Sequence, residues 1–118
     1  MSALSKHAYA AALAGLPQLA PGRLRTLLER HDPELVWTET VAGCLNRLLP
    51  VPSTPDQSQQ LHLMARHAAA EASRIDPAFV WAQCVDLGVA ITLLGEDGYP
   101  TALAADRAAP AVLFHQGA

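Results

Sequence analysis

Hydrophobic positions in the first third of the chain recur at helical spacing and are interrupted by turns that contain proline. Residues 2–16 carry such a pattern and predict an amphipathic helix, with Ser2 or Ser5 as its N-cap. The turn at residues 16–22 ends this helix, because its two prolines cannot both lie in a helix interior. A second helix is expected to start near Pro21 and to bury one stripe, formed by Leu24, Leu27 and Leu28.

A third, shorter helix is predicted after residue 32. Asp32 is typical of an N-cap, and Pro33 is typical of the first helical position. Gly43 is expected to separate this helix from a last turn that holds further apolar residues. The apolar residues of the helix and the turn are Leu35, Val36, Trp37, Leu45, Leu48 and Leu49.

The proline-rich segment at residues 50–55 is the best candidate for a domain boundary, because it has no periodic apolar face. We predict a helical domain over residues 1–50, a linker over 51–60 and a second unit over 61–118. Thr54, Pro55 and Gln57 resemble a capping box, so a helix is expected to begin at Pro55. The predicted apolar stripe of this helix is Leu61, Met64, Ala65, Ala68, Ala72 and Ile75.

Another helix is expected over residues 78–87, after which the pattern becomes extended. Asp76 suits its N-cap, and Gly88 stands where a left-handed C-terminal cap needs glycine. Residues 89–94 predict a buried strand, residues 99–103 a short helix, and residues 111–114 a second short strand that ends at Gly117. The predicted apolar face of the helix consists of Val80, Trp81, Cys84 and Val85.

Composition favours packed helices with only a minor sheet. The 118 residues include 23 Ala, against 33 Leu, Val, Ile, Met, Phe and Trp taken together. Alanine is the best helix former, whereas β-branched and aromatic residues favour strands. The predicted fold is therefore mainly α, with a core built largely from small side chains.

Charge and hydropathy exclude several classes of function. The net charge is −3, and neither residues 1–50 nor residues 51–118 contain the clustered cations that phosphate neutralisation needs. Any contact with DNA is therefore expected to be local and weak. The sequence also lacks an apolar run of about 20 residues that would span a bilayer, and its start does not resemble a secretory leader. We expect a cytoplasmic protein without a membrane partner.

The residues with reactive side chains show no spacing typical of a metal or catalytic site. Cys44 and Cys84 lie far apart and are expected to be buried small hydrophobes. His62 and His67 cannot share a metal as residues four apart on one helix would. No nucleophile elbow or phosphate-binding glycine loop occurs. We expect no metal, no cofactor and no catalysis, although an acidic active site in the C-terminal half would leave no sequence signature.

The turn at residues 16–22 is the one local feature that suggests a contact with nucleic acid. The start of a helix presents backbone N–H groups to phosphate, and a basic side chain strengthens such a contact. The candidate residues are Gly22, Arg23 and Arg25. The alternative is a plain interhelical turn with solvated arginines. Trp37 and Trp81 lie on apolar helix faces and are expected in the core rather than as platforms for bases.

Two stretches of the sequence resemble the DNA-processing protein A family, also called DprA or Smf. Residues 16–28, LPQLAPGRLRTLL, are similar to the helical hairpin of the family, although Gln18 and Ala20 stand where its pattern has glycines. Residues 95–103, GEDGYPTAL, and residues 110–117, PAVLFHQG, are similar to the segment that leads into its Rossmann-like domain. The resemblance spans nearly the whole chain, except for the segment around residues 50–60.

The resemblance implies a SAM-like helical domain, followed by helices and by the first short strands of a Rossmann-like α/β domain whose remainder is absent. It implies protection of single-stranded DNA and loading of a RecA-type recombinase in natural transformation and recombination, mostly through that remainder. We therefore expect this chain to be a non-catalytic accessory or interaction module. A free-standing helical adaptor is the alternative, and self-association is expected if the strands leave exposed edges.

Overall fold

The computed structural model describes residues 4–116 and shows a mainly helical fold with one small sheet. This confirms the prediction of packed helices with a minor sheet. In this part of the chain the elements are α1 (Lys6–Ala14), α2 (Pro21–Arg30), α3 (Pro33–Val41), a 3-10 turn (Leu45–Leu48), α4 (Pro55–Ala72), α5 (Pro77–Asp86), β1 (Val89–Leu93), α6 (Thr101–Ala104) and β2 (Val112–Gln116).

Most helices begin at the caps that the sequence predicts. The side chains of Ser5, Asp32, Thr54 and Asp76 each accept a backbone N–H two or three residues ahead, at 3.0 to 3.1 Å. Such bonds satisfy N–H groups that have no partner inside the helix. Because Ser5 is the N-cap of α1, this helix is shorter than the predicted span of residues 2–16. Ser2, the other candidate cap, lies outside the described residues.

Helix α1 lies at the centre of the fold, and the prediction of an amphipathic helix is wrong for it. Six consecutive residues, from Ala8 to Leu13, are buried, so the burial extends around the whole helix. Helices α3 and α5 both pack against α1, and both strands also contact it. A helix that is covered on all sides needs apolar residues on all sides, and the alanines allow its neighbours to approach closely.

The predicted linker at residues 51–60 is longer than the one observed. Helix α4 begins at Pro55, so residues 55–60 are helical. Of the predicted apolar stripe of α4, Ala65, Ala68 and Ala72 are buried, whereas Leu61 and Met64 are half-buried. Helix α4 packs against α3 and the 3-10 turn. These alanines share one hydrophobic core with Leu13 of α1 and residues of β2. The proline segment therefore joins two parts of one core.

The two strands pair with each other in antiparallel orientation. The register runs from Val89 opposite Gln116 to Leu93 opposite Val112. Gly88 precedes β1 with a φ of 68°, which confirms the predicted left-handed cap. The prediction of a fully buried first strand is wrong, because a sheet of two strands covers little of β1. Thr92 alone is buried in β1. The structure describes β2 up to Gln116, and Gly117, where the predicted second strand ends, lies outside the described residues.

The predicted apolar face of α5 is only partly buried. Val80, Trp81 and Cys84 are half-buried, whereas Val85 is 61% exposed. Helix α5 contacts α1 and β1 on one side only, so the rest of its apolar surface faces outward. The prediction that both cysteines are buried is also wrong, because Cys44 is half-buried like Cys84, and both are free thiols.

Candidate functional site

The turn between α1 and α2 is held by buried leucines and leaves the start of α2 open. Leu16 and Leu19 are buried, and the Leu19 N–H donates to the Leu16 carbonyl at 3.0 Å. Ala20 is the N-cap of α2 and provides no side-chain cap. Gly22 is exposed, and a Cβ added there would meet no atom within 4 Å. The turn is therefore compact, and Pro21, Gly22 and Arg23 at the start of α2 are exposed.

Arg23 lies at the surface beside this turn. Its Nη1 donates to the Gln18 carbonyl at 3.1 Å, so the guanidinium folds back over the turn. The bond is exposed to solvent, and exchange with water would cost little. Gly22 and Arg23 thus both lie at the surface beside the start of α2.

Arg25 has a different role. Its Nη1 donates to the Arg107 carbonyl at 2.7 Å and to the Asp106 carbonyl at 3.3 Å, and its Nε donates to Glu29 at 3.0 Å. The Arg25 side chain is only 27% exposed. It therefore connects α2 to the loop that precedes β2, and Glu29 neutralises its charge.

The three residues that the sequence predicts for a phosphate contact thus differ in the contacts they make. Gly22 and Arg23 remain at the open start of α2, whereas Arg25 is committed to a contact within the protein. Affinity for a nucleic-acid backbone grows with the number of cations that reach phosphates. A single exposed guanidinium provides little of that affinity. The Arg25 contact could not be predicted from local patterns, because its partners lie 81 and 82 positions away.

A second long-range cluster joins the start of α1 to the turn after β1. His7 Nε2 lies 2.8 Å from Glu96 Oε1, and His7 Nδ1 lies 3.0 Å from Ser5 Oγ. Lys6 Nζ lies 4.0 Å from the same carboxylate. The His7 ring also approaches Trp81 of α5, with 6.5 Å between ring centroids. No spacing pattern relates these residues in the sequence, because Glu96 stands 89 positions after His7.

The environment of Glu96 favours its charged form. Partial burial is the largest single influence and by itself would raise the pKa of the carboxyl group. The Leu93 N–H, which donates to Glu96 Oε1 at 2.7 Å, together with His7 and Lys6, outweighs this effect. The pKa of Glu96 therefore lies below its usual value.

Ser5, His7 and Glu96 are bonded in the order of a hydrolytic triad, but the Ser5 hydroxyl already caps a helix. Ser5 Oγ accepts the backbone N–H of His7 at 3.1 Å, which satisfies the first turn of α1. His7 in turn is bonded to Glu96 of the turn after β1. The arrangement thus fixes the start of α1 against the turn after β1.

A cavity of about 420 Å³ lies between the α2–α3 junction and the end of β1. Its charged groups are mostly paired within the protein. Asp32 caps α3, Arg25 and Glu29 bind each other, and Glu96 accepts bonds from its neighbours. Charges of both signs lie close together on its walls, which favours neither an anionic nor a cationic ligand. The charged residues that line it are Lys6, Arg25, Glu29, His31, Asp32 and Glu96.

Residues 4–116 contain no group of three or more His, Cys, Asp or Glu side chains that could hold a metal ion. His62 and His67 both lie exposed on α4, and His62 Nδ1 is bonded to the Ser58 carbonyl at 2.8 Å. In the same range of residues, no helix is both long and apolar enough to cross a membrane.

Comparisons of this chain with protein-family models, with curated protein sequences and with solved structures give no match.

Proposed function

We propose that this chain is the N-terminal, non-catalytic interaction module of a protein that resembles the DprA family. In this proposal a SAM-like helical unit supports the two strands that lead toward a Rossmann-like domain. Single-stranded DNA and a RecA-type recombinase are the partners of the larger protein, by resemblance. The module works in the cytoplasm, holds no cofactor, and contributes packing and partner contact more than affinity for DNA.

The contact of Arg25 with the loop before β2 is the observation that carries the proposal. A hairpin that binds DNA keeps its cations free for phosphates, whereas Arg25 donates to carbonyl groups of the protein. Because these carbonyls belong to the loop that precedes β2, Arg25 couples the hairpin to the sheet. The hairpin therefore acts as a support for the strands.

A titration of labelled single-stranded oligonucleotide with this chain at low salt, followed by fluorescence anisotropy, tests the proposal. We expect no saturable binding below about 1 µM, since few phosphates are neutralised. Arg23→Ala is the matched variant, because it removes the exposed guanidinium and leaves the Arg25 contact in place. Sub-micromolar binding by the wild-type chain that Arg23→Ala abolishes would overturn the proposal.

A free-standing helical adaptor is the second candidate, and the exposed apolar surface of α5 favours it. Phe79 and Leu87 are 61% and 72% exposed, which is typical of a surface that another protein covers. The coding sequence after residue 118 distinguishes the two candidates. A continuing frame for a Rossmann-like domain supports the DprA-like module, whereas a stop codon followed by unrelated sequence supports the adaptor.

A further inference from the structure

The segment between β1 and β2, residues 95–110, forms a strap that joins the two strands. It contains α6, which has no extensive contact with another helix or strand in residues 4–116. Tyr99 is buried and donates its hydroxyl to the Pro110 carbonyl at 2.7 Å, so the two halves of the strap are bonded to each other. The position of the strap therefore depends largely on the contacts near its two ends.

Two polar anchors hold the ends of the strap to the helices. At its start, the Glu96 carboxylate accepts a bond from His7 at 2.8 Å and lies beside Lys6 of α1. Near its end, the Arg107 carbonyl accepts a bond from Arg25 of α2 at 2.7 Å. The first anchor consists of groups that gain or lose protons, whereas a backbone carbonyl stays an acceptor at any pH. Acid therefore acts on the first anchor and leaves the second in place.

Gly95 provides a point about which the start of the strap can turn. Its φ is 99°, and a Cβ added there would meet no atom within 4 Å, so the position is both left-handed and open. Hinges are formed by a few such loop residues that absorb changes in φ and ψ. Gly95 and Glu96 also line the cavity of about 420 Å³ beside the end of β1. A movement of the start of the strap would therefore widen this cavity.

We propose that the Glu96–His7 contact is an acid-sensitive latch, which holds the start of the strap against α1 as part of the cavity wall. When Glu96 gains a proton, it loses the charge that attracts His7 and Lys6. Histidine side chains are positively charged in acid, so His7 and Lys6 then repel each other. The start of the strap turns away about Gly95, while Arg25 keeps its end in place.

The surroundings of Glu96 keep the latch closed at neutral pH. Partial burial opposes the charged form of the carboxyl group. The Leu93 N–H, His7 and Lys6 outweigh this effect and hold the pKa of Glu96 below 4.5. Trp81 of α5, which is uncharged, faces the His7 ring. The other charged groups around the latch are Arg25, Glu29, His31 and Asp32 on the cavity walls and Asp97 in the same turn.

Fluorine NMR of the full chain labelled with fluorotyrosine tests the proposal, because one of its two tyrosines lies in the strap and the other in the core. Tyr99 is 6% exposed, and Tyr9 of α1 is 8% exposed. The solvent isotope shift of each resonance measures contact with water, and Tyr99→Phe assigns the two signals. As the pH falls from about 7 to about 2.5, Tyr99 should become exposed in a step below pH 4.5, while Tyr9 stays buried.

Glu96→Ala removes the latch at neutral pH. It should lower the ratio of closed to open strap at least about tenfold, since a charge-assisted contact is lost. The acid step of Tyr99 should then disappear. Asp97→Ala is the matched control, because it removes the neighbouring exposed carboxylate and should leave Tyr99 as in the wild type. If Glu96→Ala loses its helical circular dichroism signal, His7→Ala makes the same test from the α1 side of the latch.

Three results would overturn the proposal. A Tyr99 signal that stays buried throughout the titration shows that the strap does not open. An acid step that Glu96→Ala retains shows that another group controls the strap. Exposure of Tyr9 and Tyr99 in one step shows that the core opens together with the strap. None of these outcomes bears on the DNA titration.

Discussion

Helices α1 and α5 have similar lengths and similar apolar content, but they differ greatly in burial. In α1, six consecutive residues are buried, and Leu13 is fully inaccessible. In α5, Pro77 is the one buried residue, and Phe79 and Val85 are each 61% exposed. The comparison shows that apolar composition alone does not decide which helix forms the core.

The number of neighbours explains this difference. Helix α1 is covered by α3, by α5 and by the sheet, whereas α5 is covered on one side by α1 and β1. The alanines of α1 let these elements approach closely, and the larger side chains of α5 extend into solvent. The region around α1 is therefore the core, and α5 with the strands forms a more exposed region.

Substitutions in the two helices should produce the largest difference in stability. Leu13→Ala leaves a cavity in a site with no exposure and should lower the free energy of unfolding by about 3 kcal/mol. Phe79→Ala, on exposed α5, should change it by less than about 1 kcal/mol. Urea denaturation followed by circular dichroism measures both values. Equal effects would show that α5 is as tightly packed as α1.

The contact of Arg25 joins the two regions, so its removal should have an intermediate effect. Arg25→Ala breaks the bonds to the loop before β2 and should cost about 1–2 kcal/mol of stability. Arg23→Ala, which removes a single bond within one turn, should cost less than about 0.5 kcal/mol. Hydrogen exchange should show faster opening of β2 in the Arg25 variant alone. Unchanged exchange in β2 would argue against the coupling of hairpin and sheet.

Glu96 also joins the two regions, and its contribution to the free energy of unfolding should depend on pH. Because folding lowers its pKa from 4.5, Glu96 stabilises the protein fully above that value. This contribution is lost as the pH falls through the lower pKa of the folded state. Glu96→Gln should therefore cost about 1 kcal/mol at neutral pH and nothing once Glu96 is protonated in the folded wild type. Urea titrations from about pH 7 to about pH 2.5 measure the difference, and a constant difference would contradict the prediction.

Local features of this fold could be predicted, and its long-range contacts could not. The caps at Asp32, Thr54 and Asp76 depend on residues two or three positions away, so the sequence shows them directly. The candidate site was predicted only in part. Gly22 and Arg23 lie where a helix start places them, but the partners of Arg25 come from the far end of the chain.

Local patterns in the sequence predict where most helices begin, that Gly88 ends one of them, and that the described strands lie near the C-terminal end. These features follow from backbone preferences and from bonds between near neighbours. Packing between elements explains why α1 is buried on all sides and why Val85 is exposed. It also brings His7 into contact with Glu96, 89 positions further along the chain. Such contacts depend on which surfaces meet when the helices pack, and the spacing of residues along one helix does not specify its neighbours.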